Sequence, residues 1–150
     1  AEALAASRCR EDVRRVVDDG MPVFAECGGL IYLSERLTID NRDHPMAGVL
    51  PASAAMTDRI QALGYVEARV VGTTPVLALA SSFRGQEYHY SRLDPAPDAR
   101  FVLELLRGRG IDGGRDGLAA QSAVGQCTHA YFTAGFADRL VQAATAYRRA

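Results

Sequence analysis

Between Glu2 and Asp19, apolar or small residues fall at Cys9, Val13, Val16 and Val17. Their spacing of i, i+4, i+7 and i+8 is one stripe of an α-helix. Gly20 stands where a left-handed residue would end that helix. Pro22 to Ala25 is a short continuous apolar run, the pattern of a strand buried on both faces. Gly28-Gly29 follows, and Leu30, Leu33 and Leu37 then share one face of a second predicted helix that runs to Leu37. Helix, buried strand, tight turn and helix together predict an α/β unit with a parallel sheet.

The middle of the chain reads as strands. Met46 to Leu50, Leu63 to Val71 and Val76 to Ala80 are β-prone runs separated by Gly, Pro and Thr. Gln86 to Leu93 alternates, with Glu87, His89 and Ser91 on one face and Tyr88 and Tyr90 on the other. Phe101 to Leu106, Gly117 to Gln121 and Val124 to Phe132 predict three more strands. Ala134 to Arg149 predicts an amphipathic helix with Phe136, Leu140, Ala144 and Tyr147 on its apolar side. No internal repeat is visible. The fold expected is a three-layer α/β/α domain, flavodoxin-like, with a mainly parallel sheet and some mixed strands in the middle.

Composition narrows the chemistry. At 150 residues the chain makes one domain with a real core. All 17 basic residues are arginine, so neither a P-loop, which needs Lys, nor Schiff-base chemistry fits within it. A net charge of -1 points to no nucleic-acid partner. Cys9, Cys27 and Cys127 form no CxxC pair and no zinc-finger spacing, so no metal site is expected and a reducing, cytoplasmic setting is. No apolar run approaches the length that a bilayer needs.

The segment Ala25-Glu26-Cys27-Gly28-Gly29 lies between a predicted strand and a predicted helix, where α/β hydrolases present a nucleophile on a strained turn. Backbone crowding there demands small residues two positions either side of the nucleophile, and Ala25 and Gly29 meet it. The N–H of Gly28 is free to face an oxyanion. A helix starting at Gly29 would aim its positive end at the sulfur and favour thiolate. A cysteine nucleophile needs a base, and His44, His89 and His129 are the three histidines. His44 falls in a polar loop and reads as solvated. His129 ends a predicted strand just before the last helix, from where it can face the turn. His89, beside Glu87, reads equally as a binding group or as a core histidine.

Several segments in register resemble one family. Met21 to Leu33 (Met-Pro-Val-Phe-Ala-Glu-Cys-Gly-Gly-Leu-Ile-Tyr-Leu) is similar to the nucleophile segment of cobyrinic acid a,c-diamide synthases, whose C-terminal domain is a class I glutamine amidotransferase. Met46 to Pro51, Leu63-Gly64-Tyr65, Arg84 to Ser91 and Cys127 to Phe132 resemble the family's later motifs in the same order. The resemblance implies that Cys27 is the nucleophile and His129 the catalytic histidine, working as a pair, since Tyr131 stands where a triad acid would be. It implies that Gly28 and Gly29 belong to the oxyanion side and that Glu87 and His89 line or support the glutamine site. Gln86, Cys127 and Tyr131 depart from the family's pattern, which has His, Tyr and His there.

On this resemblance residues 1–150 are an incomplete glutaminase domain, truncated at its N-terminus, that hydrolyses glutamine and passes ammonia to an absent synthetase domain. That domain would use ATP and Mg²⁺ to amidate a cobyrinic acid–type corrinoid in cobalamin biosynthesis, and no cofactor is expected within this chain. A sheet lacking strands would leave an edge open to a second copy, a homodimer. Cobyric acid synthase and nickel-sirohydrochlorin a,c-diamide synthase share the same turn and are the alternative acceptor classes. A cysteine peptidase on this fold, and a module that kept the fold without the chemistry, are the further alternatives.

Overall fold

The computed structural model describes residues 1–149. In chain order the elements are α1 (Glu2–Ala6), α2 (Cys9–Asp18), β1 (Val23–Glu26), α3 (Gly28–Leu33), β2 (Arg36–Ile39), β3 (Arg42–Pro45) and β4 (Ala52–Met56). There follow β5 (Ala62–Val70), β6 (Ser82–His89), β7 (Ser91–Pro95), β8 (Arg100–Arg107), β9 (Arg115–Ala120), β10 (Ala123–Gln126), β11 (His129–Ala130) and α4 (Ala134–Arg149). They form a seven-stranded sheet ordered β1-β10-β9-β8-β5-β6-β11 and a four-stranded sheet ordered β3-β2-β4-β7.

Side-chain alternation on the large sheet explains the layers. Leu118 and Ala123 face a core built with Val17, Leu30, Leu33, Leu50 and the small sheet. Their neighbours Ala119 and Val124 face the other way, onto Val70, Val102 and the α4 residues Phe136, Leu140 and Ala143. Adjacent residues point to opposite faces of a strand, so one sheet serves two cores. This is the three-layer arrangement that the sequence predicts.

The sheet itself corrects the expectation of mainly parallel pairing. Within the large sheet only β1 and β10 run parallel, and the other five pairings are antiparallel. The consecutive strands β5 and β6, β8 and β9, and β9 and β10 are joined by connections of 11 residues or fewer, and parallel pairing needs a crossover of about a dozen or more. In its sheet β1 pairs with β10 alone and is half-buried, so Pro22 to Ala25 is an edge rather than a strand enclosed on both sides.

Other boundaries shift for local reasons. The first predicted helix divides at Ser7, whose hydroxyl accepts the N–H of Cys9 and restarts the chain as α2. The second ends at Leu33, because the buried Ser34 turns its hydroxyl onto the Ile31 carbonyl; Leu37 lies in β2. Met46 to Leu50 is an irregular segment whose N–H groups bond the carbonyls at the end of α3 and just beyond it, including Tyr32, Leu33 and Ser34. Val76 to Ala80 is a turn held by the Thr74 hydroxyl, which accepts the N–H groups of Val76 and Leu77. Gln86 to Leu93 crosses from one sheet to the other at Tyr90, and Val124 to Phe132 divides into β10 and β11. On α4, Ala143 packs where Ala144 was expected, and Ala144 and Tyr147 are exposed. No helix of the described residues is long and apolar enough to cross a membrane.

Candidate active site

Strand β1 delivers Cys27 at the point where sheet turns into helix. The Cys27 N–H still bonds the Gln126 carbonyl on β10 at 2.8 Å, while its own carbonyl already accepts Ile31 N–H at 3.1 Å in α3. Between those bonds the backbone takes φ 47° and ψ -102°. That left-handed conformation costs a residue with a Cβ about 1–3 kcal/mol and persists only where the surroundings hold it. Here they do: Leu30 is fully buried and docks α3 against β10 at Gly125, where a Cβ would lie 2.6 Å from Leu50 Cδ1 and 2.8 Å from Leu30 Cδ1. A Cβ at Gly29 would come to 3.1 Å from Ala25 Cβ, so the small pair expected around a nucleophile turn is present. A Cβ at Gly28 would meet nothing within 4 Å beyond its chain neighbours.

The electrostatics correct one expectation. Burial pushes the Cys27 thiol above its ordinary pKa, and the Glu26 carboxylate pushes the same way, while the Gly28 N–H pulls it down. Helix α3 has only 6 residues, so its dipole is too short to reverse the balance. The balance holds the sulfur of the free protein toward thiol rather than thiolate.

The candidate base His129 lies on β11. Asp116, fully buried on β9, gathers the segment before it: Oδ1 accepts Gly117 N–H and Cys127 N–H, each at 2.9 Å. Its Oδ2 accepts Thr128 N–H at 3.0 Å and the Thr128 hydroxyl at 2.7 Å. Burial drives the Asp116 carboxyl upward and these four bonds oppose it. His129 follows at once and pairs with Gln86 of β6. Gly85 makes that docking possible, because a Cβ there would drive into the His129 carbonyl and lie 2.8 Å from Thr128 Cγ2.

Glu26 ties the two ends of the sheet together. Its Oε1 accepts the Ala130 N–H at 2.8 Å, and its Oε2 lies 3.9 Å from His129 Nδ1. Residues at opposite ends of the strand order, and 103 apart in sequence (129 − 26), thus meet beside the Cys27 turn. Thiol, imidazole and the Gly28 amide are the parts that acyl transfer through a thioester requires.

Glu87 and His89 stand elsewhere. Paired residues of an antiparallel ladder share a face, so His129 shares the face of Gln86, and the alternation of β6 puts Glu87 and His89 on the other. Glu87 gives both oxygens to loop amides, Arg109 N–H at 2.6 Å and Gly110 N–H at 3.0 Å. His89 Nδ1 lies 2.9 Å from the Ser91 carbonyl, and its buried Nε2 has no protein partner. Beside it is a cavity of about 290 Å³ lined by Gln61, Arg92, Arg109 and Cys127 among others. His44 is on β3, in the other sheet. Cys127 is buried, and burial together with the charge of Asp116 pushes its thiol far up. Among the described residues no cluster of three His, Cys, Asp or Glu side chains is arranged to hold a metal ion.

Sequence reasoning misses Glu26 and Asp116. A lone Asp in the strand run Arg115 to Ala120 is the available signal for one. Nothing local shows that Glu26 reaches His129.

Known proteins resemble this chain along most of its length. A model of the CobB/CobQ-like glutamine amidotransferase domain matches residues 1–137. A cobyrinate a,c-diamide synthase of Haloarcula marismortui is 41% identical over 141 residues, covering 93% of this chain and 32% of the relative. Its counterpart in Halobacterium salinarum is 44% identical over 131 residues, covering 87% and 30%. The chain thus spans about a third of the length of these relatives. Among solved structures, a chain of PurLQS from Thermotoga maritima superposes with a TM-score of 0.65 at 13% identity, covering 98% of this chain and 71% of that one. A glutamine amidotransferase of Thermotoga maritima superposes at 0.51 with 16% identity, covering 97% and 58%. The family match over residues 1–137, together with relatives 41% and 44% identical along most of the chain, makes the chain a member of the CobB/CobQ-like glutamine amidotransferase domain family.

Proposed function

We propose that this chain is the glutaminase of a cobyrinate a,c-diamide synthase and that Cys27 and His129 carry its chemistry. His129 takes the Cys27 proton, and the thiolate attacks the side-chain carbonyl carbon of glutamine. The oxyanion that forms accepts the Gly28 N–H. His129 then returns its proton to the departing nitrogen, the C–N bond breaks, and ammonia leaves behind a γ-glutamyl thioester on Cys27. With His129 now neutral, it takes a proton from water; the hydroxide adds to the thioester carbon and glutamate departs as the thiol is restored.

The observation that carries this reading is the strained Cys27 turn with the His129 strand held beside it. Gly29 serves by letting the turn close on Ala25. Glu87 and His89 lie on the inner face of β6, opposite to that of His129, where Glu87 fixes the loop at Arg109 and Gly110. The relatives' name supplies the acceptor. Ammonia would pass to a partner part of a longer protein, where ATP and Mg²⁺ activate a corrinoid acetate. With no lysine and no P-loop, the residues of this chain offer that step nothing. Three free cysteines suit the cytoplasm.

The test is glutamate release from glutamine by the protein as the cell makes it. Cys27→Ala should abolish it with the fold intact, and His129→Ala should slow it by about 10²–10⁴-fold. His44→Ala should leave it unchanged. Sustained release from Cys27→Ala would end the proposal.

A further inference from the structure

We propose that Glu26, the residue preceding the nucleophile, is the positioning carboxylate that orients His129 for proton transfer, reaching it from β1 across to β11. The inference rests on the Cys27–His129 reading above. Sequence offers no acid two residues after His129, where Tyr131 stands. The tertiary structure supplies one from the nucleophile's own strand.

The two oxygens of Glu26 have different work. Oε1 accepts Ala130 N–H at 2.8 Å and lies 3.4 Å from Gln126 Nε2, which fixes the backbone immediately after His129. Oε2 faces His129 Nδ1 at 3.9 Å. Nδ1 of His129 is the ring nitrogen that faces this carboxylate, and the Glu26 side chain is only 22% exposed. A shift of about 1 Å would bring that pair into charge-assisted hydrogen-bond range, the kind of tightening that catalytic contacts undergo when substrate binds. Engaging Nδ1 leaves Nε2 as the nitrogen that exchanges a proton with the sulfur and the leaving ammonia. In this role Glu26 orients the ring, and the transferred proton travels through His129.

Among the described residues, the side chain opposite His129 on the same face is Gln86, a neutral amide that offers the imidazole no charge. Cys27 is on the same turn. On the outer face of β6 and β5, Arg84 is paired with Glu67 at 3.6 Å, with Tyr65 and Tyr88 nearby. Asp116 is spent on backbone amides and on Thr128. A neutral amide oxygen would serve the Ala130 N–H as well as a carboxylate does, so that bond alone does not require Glu at this position.

Glu26→Gln separates the two roles, because it keeps an acceptor for Ala130 and removes the charge from Nδ1. We expect kcat for glutamine to fall about ten- to a hundredfold, with KM changed less than about threefold and thermal stability kept. Hydrolysis of the γ-ethyl thioester of glutamate, whose thiolate leaves without a proton, should lose less in kcat/KM. Alkylation of Cys27 by iodoacetamide should not slow, since the Glu26 charge opposes thiolate formation. Wild-type kcat in Glu26→Gln overturns the proposal; so do equal losses on both substrates together with slowed alkylation, which would mark a collapsed turn. If Cys27→Ala and His129→Ala are inactive while Glu26→Gln is not, this inference alone fails and the Cys–His reading stands.

Discussion

Replacing Gly85 with alanine tests how His129 is held. The added Cβ would sit 2.8 Å from Thr128 Cγ2, 3.0 Å from the His129 carbonyl carbon, and closest of all to that carbonyl oxygen. Carbon atoms in contact rest about 3.5–4.0 Å apart, so roughly 1 Å must be opened. Thr128 resists, because Asp116 holds both its N–H and its hydroxyl. Relief comes from β11 sliding off β6, against bonds such as Tyr131 N–H to the Arg84 carbonyl at 2.8 Å. Overpacking of this kind costs about 1–3 kcal/mol, partly offset by the roughly 0.5–1 kcal/mol that alanine gains over glycine in a strand. The net loss is modest, worth a few degrees in Tm for a domain of this size. Catalysis should suffer more, since a displacement of about 1 Å costs on the order of 10²-fold, or about 2.7 kcal/mol of transition-state stabilisation. The assay pairs glutamate release with thermal denaturation, and Gly135→Ala, where a Cβ meets nothing, is the control. Full turnover by Gly85→Ala at an unchanged Tm would refute the reasoning.

Asp116→Asn should cost about 2–3 kcal/mol in chemical denaturation, because an amide nitrogen facing Thr128 N–H leaves a buried donor without an acceptor; a loss under about 1 kcal/mol would show that the clamp is not what holds the segment. Cys127 makes stability fall at alkaline pH. Below the thiol range both folded and unfolded chains keep its proton, but above about 8.5 only the unfolded chain ionises, at up to about 1.4 kcal/mol per pH unit. The unfolding free energy of Cys127→Ala should therefore decline less steeply than the wild type's between about pH 8.5 and 10, and parallel curves would contradict this. Without substrate, alkylation of Cys27 should accelerate only as pH rises well past neutral; a rate already at its plateau near neutral would refute the thiol assignment.

Local spacing determined much of this protein. The turn at Ala25 to Gly29 was legible because crowding on a strained strand-to-helix bend restricts residue size, and that demand is visible within five letters. The alternation of Glu87, His89 and Ser91 against Tyr88 likewise survived intact, with the first three buried and Tyr88 exposed. Period-two burial is a property of any half-covered strand. What spacing could not supply was pairing direction. An apolar run looks the same in a parallel or an antiparallel ladder, so the sheet read as parallel proved antiparallel except at β1 and β10. Short apolar runs such as Val76 to Ala80 misled for a related reason: side-chain bonds from Thr74 decided the backbone there.

The site divides along the same line. Which residues are chemically able to act was set by side-chain type, and few candidates existed: three thiols and three imidazoles. Their surroundings were decided only by the tertiary structure, which sets β11, at one end of the strand order, beside β1 at the other. That arrangement sets the Glu26 carboxylate against the imidazole, across 103 residues of chain (129 − 26), with Asp116 bonded to the neighbouring Thr128. It also sets the state of the sulfur, since desolvation depends on what surrounds Cys27 in space and not on its neighbours in sequence.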